Sequence, residues 1–432
     1  MPATPFAALR NRNFRLFIAG QFVSLCGTWV QTVAVGWLAL ELTDSPFKVG
    51  LVTTIGSLPV LLFTLYGGVL ADRVDRRRAL LWLKSLFLVD ALALGLLTAF
   101  GVITMPWIYA LAFASGMVSA FEIPIRQSFL IEMVGKSDTM NAVALNSSAF
   151  NLSRVIGPAV AGTILASAGT AACFLINAAS AIAVLVSLAK IRSDGMAGGG
   201  RLPRRAPLAE GVRHVLAEPW SRSLVVVTAC FTIFGASFVA VLPVFARDVL
   251  NTGAGGYGAL TSAFGIGAAA GALSVAAMGH RFPRERVVLL AGTAFATAVL
   301  LVGAARVFPL AFVLLLVAGL AAALNAILTN TILQTTAPDH LRGQVVGLYS
   351  FIVVGMAPLG ALQAGWFAEH LGAGPAVMLG GAACLVVAAG AWWKLGRGHP
   401  APGSGEDAFA GGVPRPDGQQ SPVADLLPPA HS

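Results

Sequence analysis

Long apolar stretches dominate this chain and are separated by short polar segments. A stretch can cross a bilayer when it is long enough for the hydrocarbon core, whose roughly 30 Å require about 20 apolar residues in a helix. Twelve stretches meet this requirement, which predicts an all-α membrane protein with twelve transmembrane helices. The predicted spans are 16–40, 47–71, 79–100, 106–126, 140–167, 171–190, 223–246, 257–279, 286–305, 309–330, 343–367 and 373–395.

The basic residues are distributed unevenly between the two sides that these spans define. Lys and Arg accumulate on the cytoplasmic side of membrane proteins. With the N-terminus inside, nearly all of the 28 Lys and Arg residues lie in or beside inner segments. An even number of spans returns the C-terminus to the same side. We therefore expect a multi-pass membrane protein with both termini in the cytoplasm. The exceptions are Lys48, Arg247 and Arg306 outside, and Arg126 and Arg154 at membrane depth.

Two segments depart from the membrane pattern. Residues 191–222 carry basic residues among glycines and prolines and include a stretch that would form a short surface helix, so we expect a linker there. Residues 397–432 are rich in Pro, Gly and acidic residues and are expected to be disordered. This leaves an N-terminal six-helix half, 1–190, and a C-terminal six-helix half, 223–396.

Composition narrows the class of protein further. The chain is 57% hydrophobic and 11% charged, which leaves too little polar surface for a soluble globule. The net charge of +9 is accounted for by the inner loops, so it gives no reason to expect a nucleic-acid partner. The sequence has neither a Walker-type phosphate loop nor cysteines at metal-ligand spacing, and its six His fall in loops or termini. We expect neither a cofactor nor an enzymatic activity.

The two halves show a weak internal repeat. Residues 127–144 align with 330–347 at a shift of 203, by pattern more than by identity. Repeated halves of this kind place a substrate cavity between them near the membrane midplane. At this shift Glu122 and Arg126 correspond to Asn325 and Thr329, so the charges at this depth belong to the first half.

A short charged segment joins the second and third spans, reading Gly-Gly-Val-Leu-Ala-Asp-Arg-Val-Asp-Arg-Arg-Arg over residues 67–78. The glycines Gly67 and Gly68 allow close approach of the helices. Asp72, where the second helix leaves the membrane, would attract the positive N-terminal end of a neighbouring helix. Such a contact would hold one conformation closed on the inside. The alternative is a solvated loop that only sets the topology.

The arginines of this hairpin have candidate partners at the end of the fourth span. Glu122 and Glu132 lie there and carry the opposite charge. Ion pairs to them would strengthen the same conformational lock. The arginines concerned are Arg73, Arg76 and Arg77.

The hairpin resembles the helix 2–3 motif of the major facilitator superfamily, and the resemblance extends over about residues 10–396. Within the superfamily the chain is similar to the branch that includes the enterobactin exporter. Asp75 replaces the usual second glycine. The resemblance implies that Asp72 contacts helix 11. The matching residues are Gly68, Leu70, Ala71, Asp72, Arg73, Arg76 and Arg77.

A second motif lies in the fifth span and resembles the helix 5 motif of antiporters in the superfamily. It implies export in exchange for another solute. The arginine that the superfamily carries in helix 4 is absent near Ala112 and Phe113. The motif is approximated by Ser153, Gly157, Pro158, Ala161 and Gly162.

Charges at membrane depth are costly and usually functional. Glu122 and Arg126 are one helical turn apart and can pair. We expect Glu122 to change protonation during transport, with Arg126 and Arg154 tuning it or binding anionic groups of the substrate. The alternative is a permanently ionised structural pair. Asp90 is a second candidate, ranked below Glu122.

Polar side chains recur at helical spacing on three helices and are candidates to line a cavity. The alternative is hydrogen bonding between packed helices. In the second half, Asn325 and Thr329 are the candidates. In the first half they are Gln21, Ser24, Thr28 and Gln31 in helix 1, Ser115 and Ser119 in helix 4, and Asn151 in helix 5.

These observations and the resemblance predict a secondary transporter that works by alternating access. We expect a monomer in the lipid bilayer of a bacterial cytoplasmic (inner) membrane that exports a small amphipathic molecule, drug-like or siderophore-like, in exchange for protons. One alternative is flipping of lysophospholipids or other lipids. Another is a membrane sensor or assembly partner that transports nothing.

Overall fold

The computed structural model describes residues 7–191, 208–278, 283–338 and 340–395, and these ranges form helices joined by short connections. The helices fall into two groups of six, as the sequence predicts. The first six are α1 (Arg12–Thr43), α2 (Pro46–Ala71), α3 (Arg76–Ala99), α4 (105–134), α5 (136–168) and α6 (170–190). The second six are α7 (Pro219–Val249), α8 (Gly253–Met278), α9 (Arg284–Ala304), α10 (Phe308–Thr336), α11 (Arg342–Leu371) and α12 (Ala373–Leu395).

Helices α4, α5 and α6 follow one another almost without connecting loops. Only Gly135 (φ 73°) and Gly169 (φ 79°) leave the helical conformation between residues 105 and 190. By length and composition alone, eleven helices qualify as spans, because Asp138–Lys190 counts as one of 53 residues. At 1.5 Å per residue it would be about 80 Å long, far more than a bilayer requires. The left-handed Gly169 divides it, and the prediction of twelve membrane helices is confirmed.

Side-chain caps set the starts of the first three helices. Asn11 accepts hydrogen bonds from two backbone N–H groups at the start of α1, Ser45 accepts one from Lys48, and Asp75 accepts one from Arg78. These caps satisfy donors that a helix start otherwise leaves without partners. The Asp75 cap confines the α2–α3 connection to residues 72–75. We call the whole charged segment, residues 67–78, the hairpin.

The second half contains the less regular helices. Helix α7 begins at Pro219, four residues before the predicted start, because Glu218 caps it by accepting from the backbone of Trp220 and Ser221. It is interrupted by π-helical turns at Phe231–Gly235 and Phe245–Val249. Helix α11 breaks at Met356, just before Pro358. Wider turns and proline breaks of this kind bend a helix.

The two halves contact each other mainly at one end of the bundle. We call the end that carries the hairpin the hairpin end, and the end that carries the α1–α2 turn the opposite end. Near the opposite end, Trp37 of α1 stacks on Tyr257 of α8 with ring centroids 6.3 Å apart. Gly50 of α2 lies against the Ala361 carbonyl of α11, so close that a Cβ on Gly50 would be 2.5 Å from that oxygen. The halves are therefore joined through α1–α8 and α2–α11 at this end.

A short helix, Leu208–Ala217, lies between the halves in sequence and packs on α11. The Gly211 backbone N–H donates to the Gln344 side chain over 2.5 Å. The short surface helix expected within the linker lies here. Residues 192–207 of that linker and the tail 397–432, for which disorder is predicted, are outside the described residues.

Candidate functional site

Two arginines of the hairpin form hydrogen bonds with other helices of the first half. Arg76 donates to Glu132 of α4 over 2.7 Å, so it meets one of the two carboxylates considered for it. Arg77 donates to the backbone carbonyls of Leu188 and Ala189 at the end of α6, each over 2.8 Å. Cationic donors complement the C-terminal end of a helix. The hairpin therefore ties α2 and α3 to α4 and α6.

Asp72 and Arg73 make no contact with the second half among the described residues. The Asp72 side chain is 43% exposed, and its ion-pair partner is Arg76 on the hairpin itself, at 3.9 Å. Arg73 is exposed. The helix 11 contact that the resemblance implies for Asp72 is not formed in this conformation, because the halves meet at the other end of the bundle.

Gly67, rather than Gly68, is the close-packed glycine of the motif. A Cβ on Gly67 would lie 2.4 Å from the Ala120 carbonyl of α4, whereas a Cβ on Gly68 would meet nothing within 4 Å. Of the two glycines expected to bring helices together, one does so in this conformation and the other does not. The neighbouring Gly67 has that role, and Gly68 faces open space.

At the opposite end a different carboxylate joins the same two helices, α2 and α11. Glu369, near the end of α11, accepts hydrogen bonds from the Ser45 hydroxyl over 2.9 Å and from the Phe47 backbone N–H over 3.1 Å. The contact places a negative charge at the N-terminal end of α2, where it is favoured. Arg247 of α7 also pairs with Asp44. Sequence reasoning missed Glu369, which lies two residues beyond the predicted span 343–367 but within helix α11, because this helix continues to Leu371.

Glu122 lies in a buried triad with two cations. Its carboxylate is 2.9 Å from Arg126, one turn along α4, and 2.9 Å from Lys84 of α3. The side chains of Lys84 and Glu122 are 7% and 6% exposed. The negative charge is thus matched twice. The geometry favours the structural alternative for Glu122, and the residue that decides this, Lys84, was not among the sequence candidates.

Asp90 lies in a different environment, with no cation in ion-pair reach among the described residues. One carboxylate oxygen accepts from the Gln31 side chain of α1 over 3.2 Å, and the other is buried without a partner. Asn177 of α6 donates to Gln31 over 2.6 Å, and Ser180 donates to Asn177 over 3.2 Å. Asp90 is 6% exposed. A buried carboxylate with so little compensation is costly when it is charged.

Arg154 is a third group at membrane depth. Its guanidinium carbon lies 5.0 Å from the centroid of the Phe264 ring in α8, across the contact between the halves. The guanidinium of Arg154 has no hydrogen bond or ion pair with any described residue. A cation–π contact contributes about 0.5–2 kcal/mol, less than the roughly 2.5–3.5 kcal/mol that insertion of Arg at a membrane midplane costs. Phe264 therefore compensates this charge only in part.

The polar stripe of α1 divides between two environments. Gln21 and Ser24 are buried, and Gln31 turns inward to Asp90. Thr28 is exposed. It shares a helix face with Gly36, whose missing side chain leaves room for Tyr257 of the second half. Thr28 is therefore the residue of this stripe that faces the space between the halves.

The other polar candidates bond mainly within their own helix or half. Ser119 donates to the Ser115 carbonyl and Asn151 to the Ser147 carbonyl, each one turn back. Asn325 is buried and donates to the Val288 carbonyl of α9 over 3.0 Å, and Thr329 is also buried. In this conformation Asn325 and Thr329 do not line the space between the halves, because they pack inside the second half.

The helix 5 motif packs α5 between two other helices. Gly157 faces α1, where a Cβ would be 2.4 Å from that of Trp29. Gly162 faces α8, where a Cβ would lie 3.0 Å from the Gly258 Cα. The Pro158 carbonyl approaches Gly258 as well. The small residues thus allow α5 to touch both its own half and the other one.

Comparison with known proteins agrees with this architecture. The family described as transmembrane secretion effector matches residues 3–397. The chain is 27% identical to the multidrug efflux pump Tap of Mycolicibacterium fortuitum, over 80% of this chain and 87% of that protein. It is 27% identical to the staphyloferrin A transporter of Staphylococcus aureus, over 81% and 87%. It is also 27% identical to the enterobactin exporter EntS of Escherichia coli O1:K1, over 81% and 85%.

Solved transporters share the fold. A bacterial homologue of the human lysosomal transporter Spinster, in an inward-facing and unoccupied conformation, aligns with a TM-score of 0.67 and 16% identity over 89% of this chain and 95% of that one. A D-xylose–proton symporter aligns with a TM-score of 0.68 and 14% identity over 90% and 98%. The chain therefore belongs to the transmembrane secretion effector family and is a major facilitator superfamily transporter, not an enzyme.

Proposed function

We propose that this protein exports a small amphipathic molecule across a bacterial cytoplasmic membrane in exchange for protons, by alternating access. The family and the names of three relatives, a multidrug efflux pump, a siderophore transporter and a siderophore exporter, support export of a drug-like or siderophore-like compound.

The distribution of basic residues supports an orientation of the protein in which this conformation is accessible to a substrate in the cytoplasm. The hairpin end carries Arg73, Arg76, Arg77 and Arg78, and such clusters stay in the cytoplasm. The halves are joined at the opposite end, through Glu369 and the α2–α11 contact. With the hairpin end inside, the space between the halves opens toward the cytoplasm, from which an exporter takes its substrate.

The environment of Asp90 is the main observation that supports proton exchange. Its charge is balanced by no cation in the described structure, and one of its oxygens is buried without a partner. A proton would remove that cost. Glu122, by contrast, is matched by Lys84 and Arg126. We therefore assign the proton-binding role to Asp90 and a structural role to Glu122, the reverse of the ranking made from sequence.

The test is proton movement in everted membrane vesicles. The vesicle interior is acidified by respiration, and a panel of drugs, siderophores and lysolipids is added while interior pH is followed. We expect substrate-dependent proton release with the unaltered protein and none with Asp90→Asn, which keeps the size of the side chain and an acceptor for Gln31. Asp90→Glu, which can still bind a proton, should retain part of the release.

A matched control is available at the opposite end. Glu41 is an exposed carboxylate that accepts a bond from Trp37 of its own helix, so Glu41→Gln should leave proton release unchanged. Substrate movement without proton release in the unaltered protein would rule out proton exchange. Normal release by Asp90→Asn would rule out the role assigned to Asp90.

A further inference from the structure

We propose that Arg154 forms an anion-binding site at the contact between α5 and α8, and that the site takes the negatively charged group of an amphipathic organic anion. The proposal rests on the proposed export function and names the chemical class of its substrate. It concerns binding alone, so it can fail or succeed independently of proton exchange.

The described helices offer Arg154 no counter-charge at its own depth. Two carboxylates lie deep in the described membrane helices, Asp90 and Glu122. Glu122 is bound to Lys84 and Arg126, and Asp90 is bound to Gln31. Helices α8 and α10, as described, contain no Asp or Glu. The negative charge that would balance Arg154 must therefore come from a solute.

The position of Arg154 decides which solutes can supply that charge. It lies 14 residues before the end of α5, about 21 Å along the helix at 1.5 Å per residue. Lipid headgroups stay at the membrane surface and do not reach this depth. Backbones of the two halves meet here, since a Cβ on Gly265 of α8 would be 2.7 Å from the Arg154 carbonyl. The guanidinium therefore lies at the contact between the two halves, against Phe264 of α8.

The Phe264 ring orients the guanidinium without using its hydrogen bonds. The guanidinium carbon lies over the Phe264 ring, and this contact supplies no carboxylate or carbonyl acceptor, so the N–H groups of Arg154 can still bind an anion. Phe264 is itself held edge-on by Phe238 of α7, with ring centroids 5.5 Å apart. This arrangement suits a planar acceptor such as a carboxylate, which arginine binds through two N–H groups. The apolar helices around it favour an anion with an apolar body, which loses less hydration than a fully polar one.

The test compares two ligands that differ only in charge, 1-naphthoate and its uncharged analogue 1-naphthamide. Equilibrium binding of each tritiated compound is measured with purified protein in phosphatidylcholine nanodiscs, with no ion gradient. We expect the unaltered protein to prefer the acid. Arg154→Gln should weaken binding of the acid tenfold or more and change binding of the amide less than twofold. Arg154→Lys, which keeps the charge but not the planar donor geometry, should fall between them.

A control arginine checks that net charge alone is not responsible. Arg78 is exposed on the hairpin and pairs with Asp75, so Arg78→Gln should leave both affinities unchanged. Three results would overturn the proposal. The unaltered protein would bind acid and amide with equal affinity, or it would not bind the acid, or Arg154→Gln would weaken binding of both ligands equally. Displacement of the acid by chloride, added in place of gluconate at constant ionic strength, would assign the site to an inorganic anion and overturn it as well.

Discussion

Glu122, Asp90 and Arg154 lie deep in the first half, and each is compensated to a different degree. Glu122 has two cations at 2.9 Å, Asp90 has one amide donor, and Arg154 has the face of one aromatic ring. The fully matched group suits a permanent structural role. The two poorly matched groups suit roles in which a proton or an anion arrives and leaves.

The structural role of Glu122 gives a prediction about stability. Glu122→Gln leaves Lys84 and Arg126 buried together without their carboxylate, and breaking a buried pair in this way costs about 3–5 kcal/mol of unfolding free energy. We expect a clear decrease in the thermal midpoint of the detergent-solubilised protein. The double variant Lys84→Met/Glu122→Gln removes one unmatched cation and should recover part of the loss. A midpoint unchanged by Glu122→Gln would contradict the structural role.

The sequence identifies Glu122, Asp90 and Arg154 as candidates but not the side chains of other helices that surround them. Spacing along one helix identifies the Glu122–Arg126 pair, since the two are one turn apart. Lys84 and Asn177 belong to other helices, and only the packing of α3 and α6 against α4 and α1 brings them into contact. The number of cations around a carboxylate decides its role, and that number depends on tertiary contacts.

At the scale of helices, apolar length predicted the spans well because a bilayer imposes it directly. Boundaries were less predictable. The start of α7 depends on the Glu218 cap, and the division between α5 and α6 depends on the backbone of Gly169. Which glycine of the hairpin motif packs closely also follows from the neighbouring α4 and not from the motif.

Gly67 and Gly68 allow a direct test of that packing. A Cβ at Gly67 would be 2.4 Å from the Ala120 carbonyl, whereas one at Gly68 would meet nothing within 4 Å. Gly67→Ala should therefore force α2 away from α4. We expect it to lower the free energy of unfolding by about 1–3 kcal/mol, as core overpacking does, and with it the thermal midpoint. Gly68→Ala is the control and should not lower the midpoint. Equal effects of the two substitutions would contradict the packing described for this turn.

For the whole molecule, α2 and α11 run antiparallel and have a carboxylate near the C-terminal end of each. Glu369 of α11 contacts the start of α2 in the described conformation, while Asp72 of α2 is exposed. The carboxylate at the opposite end thus links the two helices, whereas the carboxylate at the hairpin end does not. The arrangement is that expected of one of the two states of alternating access.

Glu369→Gln should shift the balance between those states. Weakening a charge-assisted contact by about 1–2 kcal/mol changes relative populations roughly five- to thirtyfold. The measurement is the rate at which an impermeant maleimide labels Thr28→Cys. The native Cys26, Cys173, Cys230 and Cys384 are first replaced, and the reagent is added on the side of the membrane where the opposite end of the bundle lies. We expect faster labelling with Glu369→Gln. Glu41→Gln, at the same end, should leave the rate unchanged, and no acceleration by Glu369→Gln would contradict a closing role for this contact.

The depth of Asp90 has an electrical consequence. It lies nine residues before the end of α3, about 14 Å along the helix, so a proton that reaches it from that side crosses part of the transmembrane voltage. Moving one charge across the full potential is worth about 2.3 kcal/mol per 100 mV, and stopping near the middle of the membrane takes roughly half of that. Proton uptake at Asp90 would therefore draw on membrane voltage as well as on the pH difference, and an energised cell would load this carboxylate more readily than the same protein does in a detergent solution.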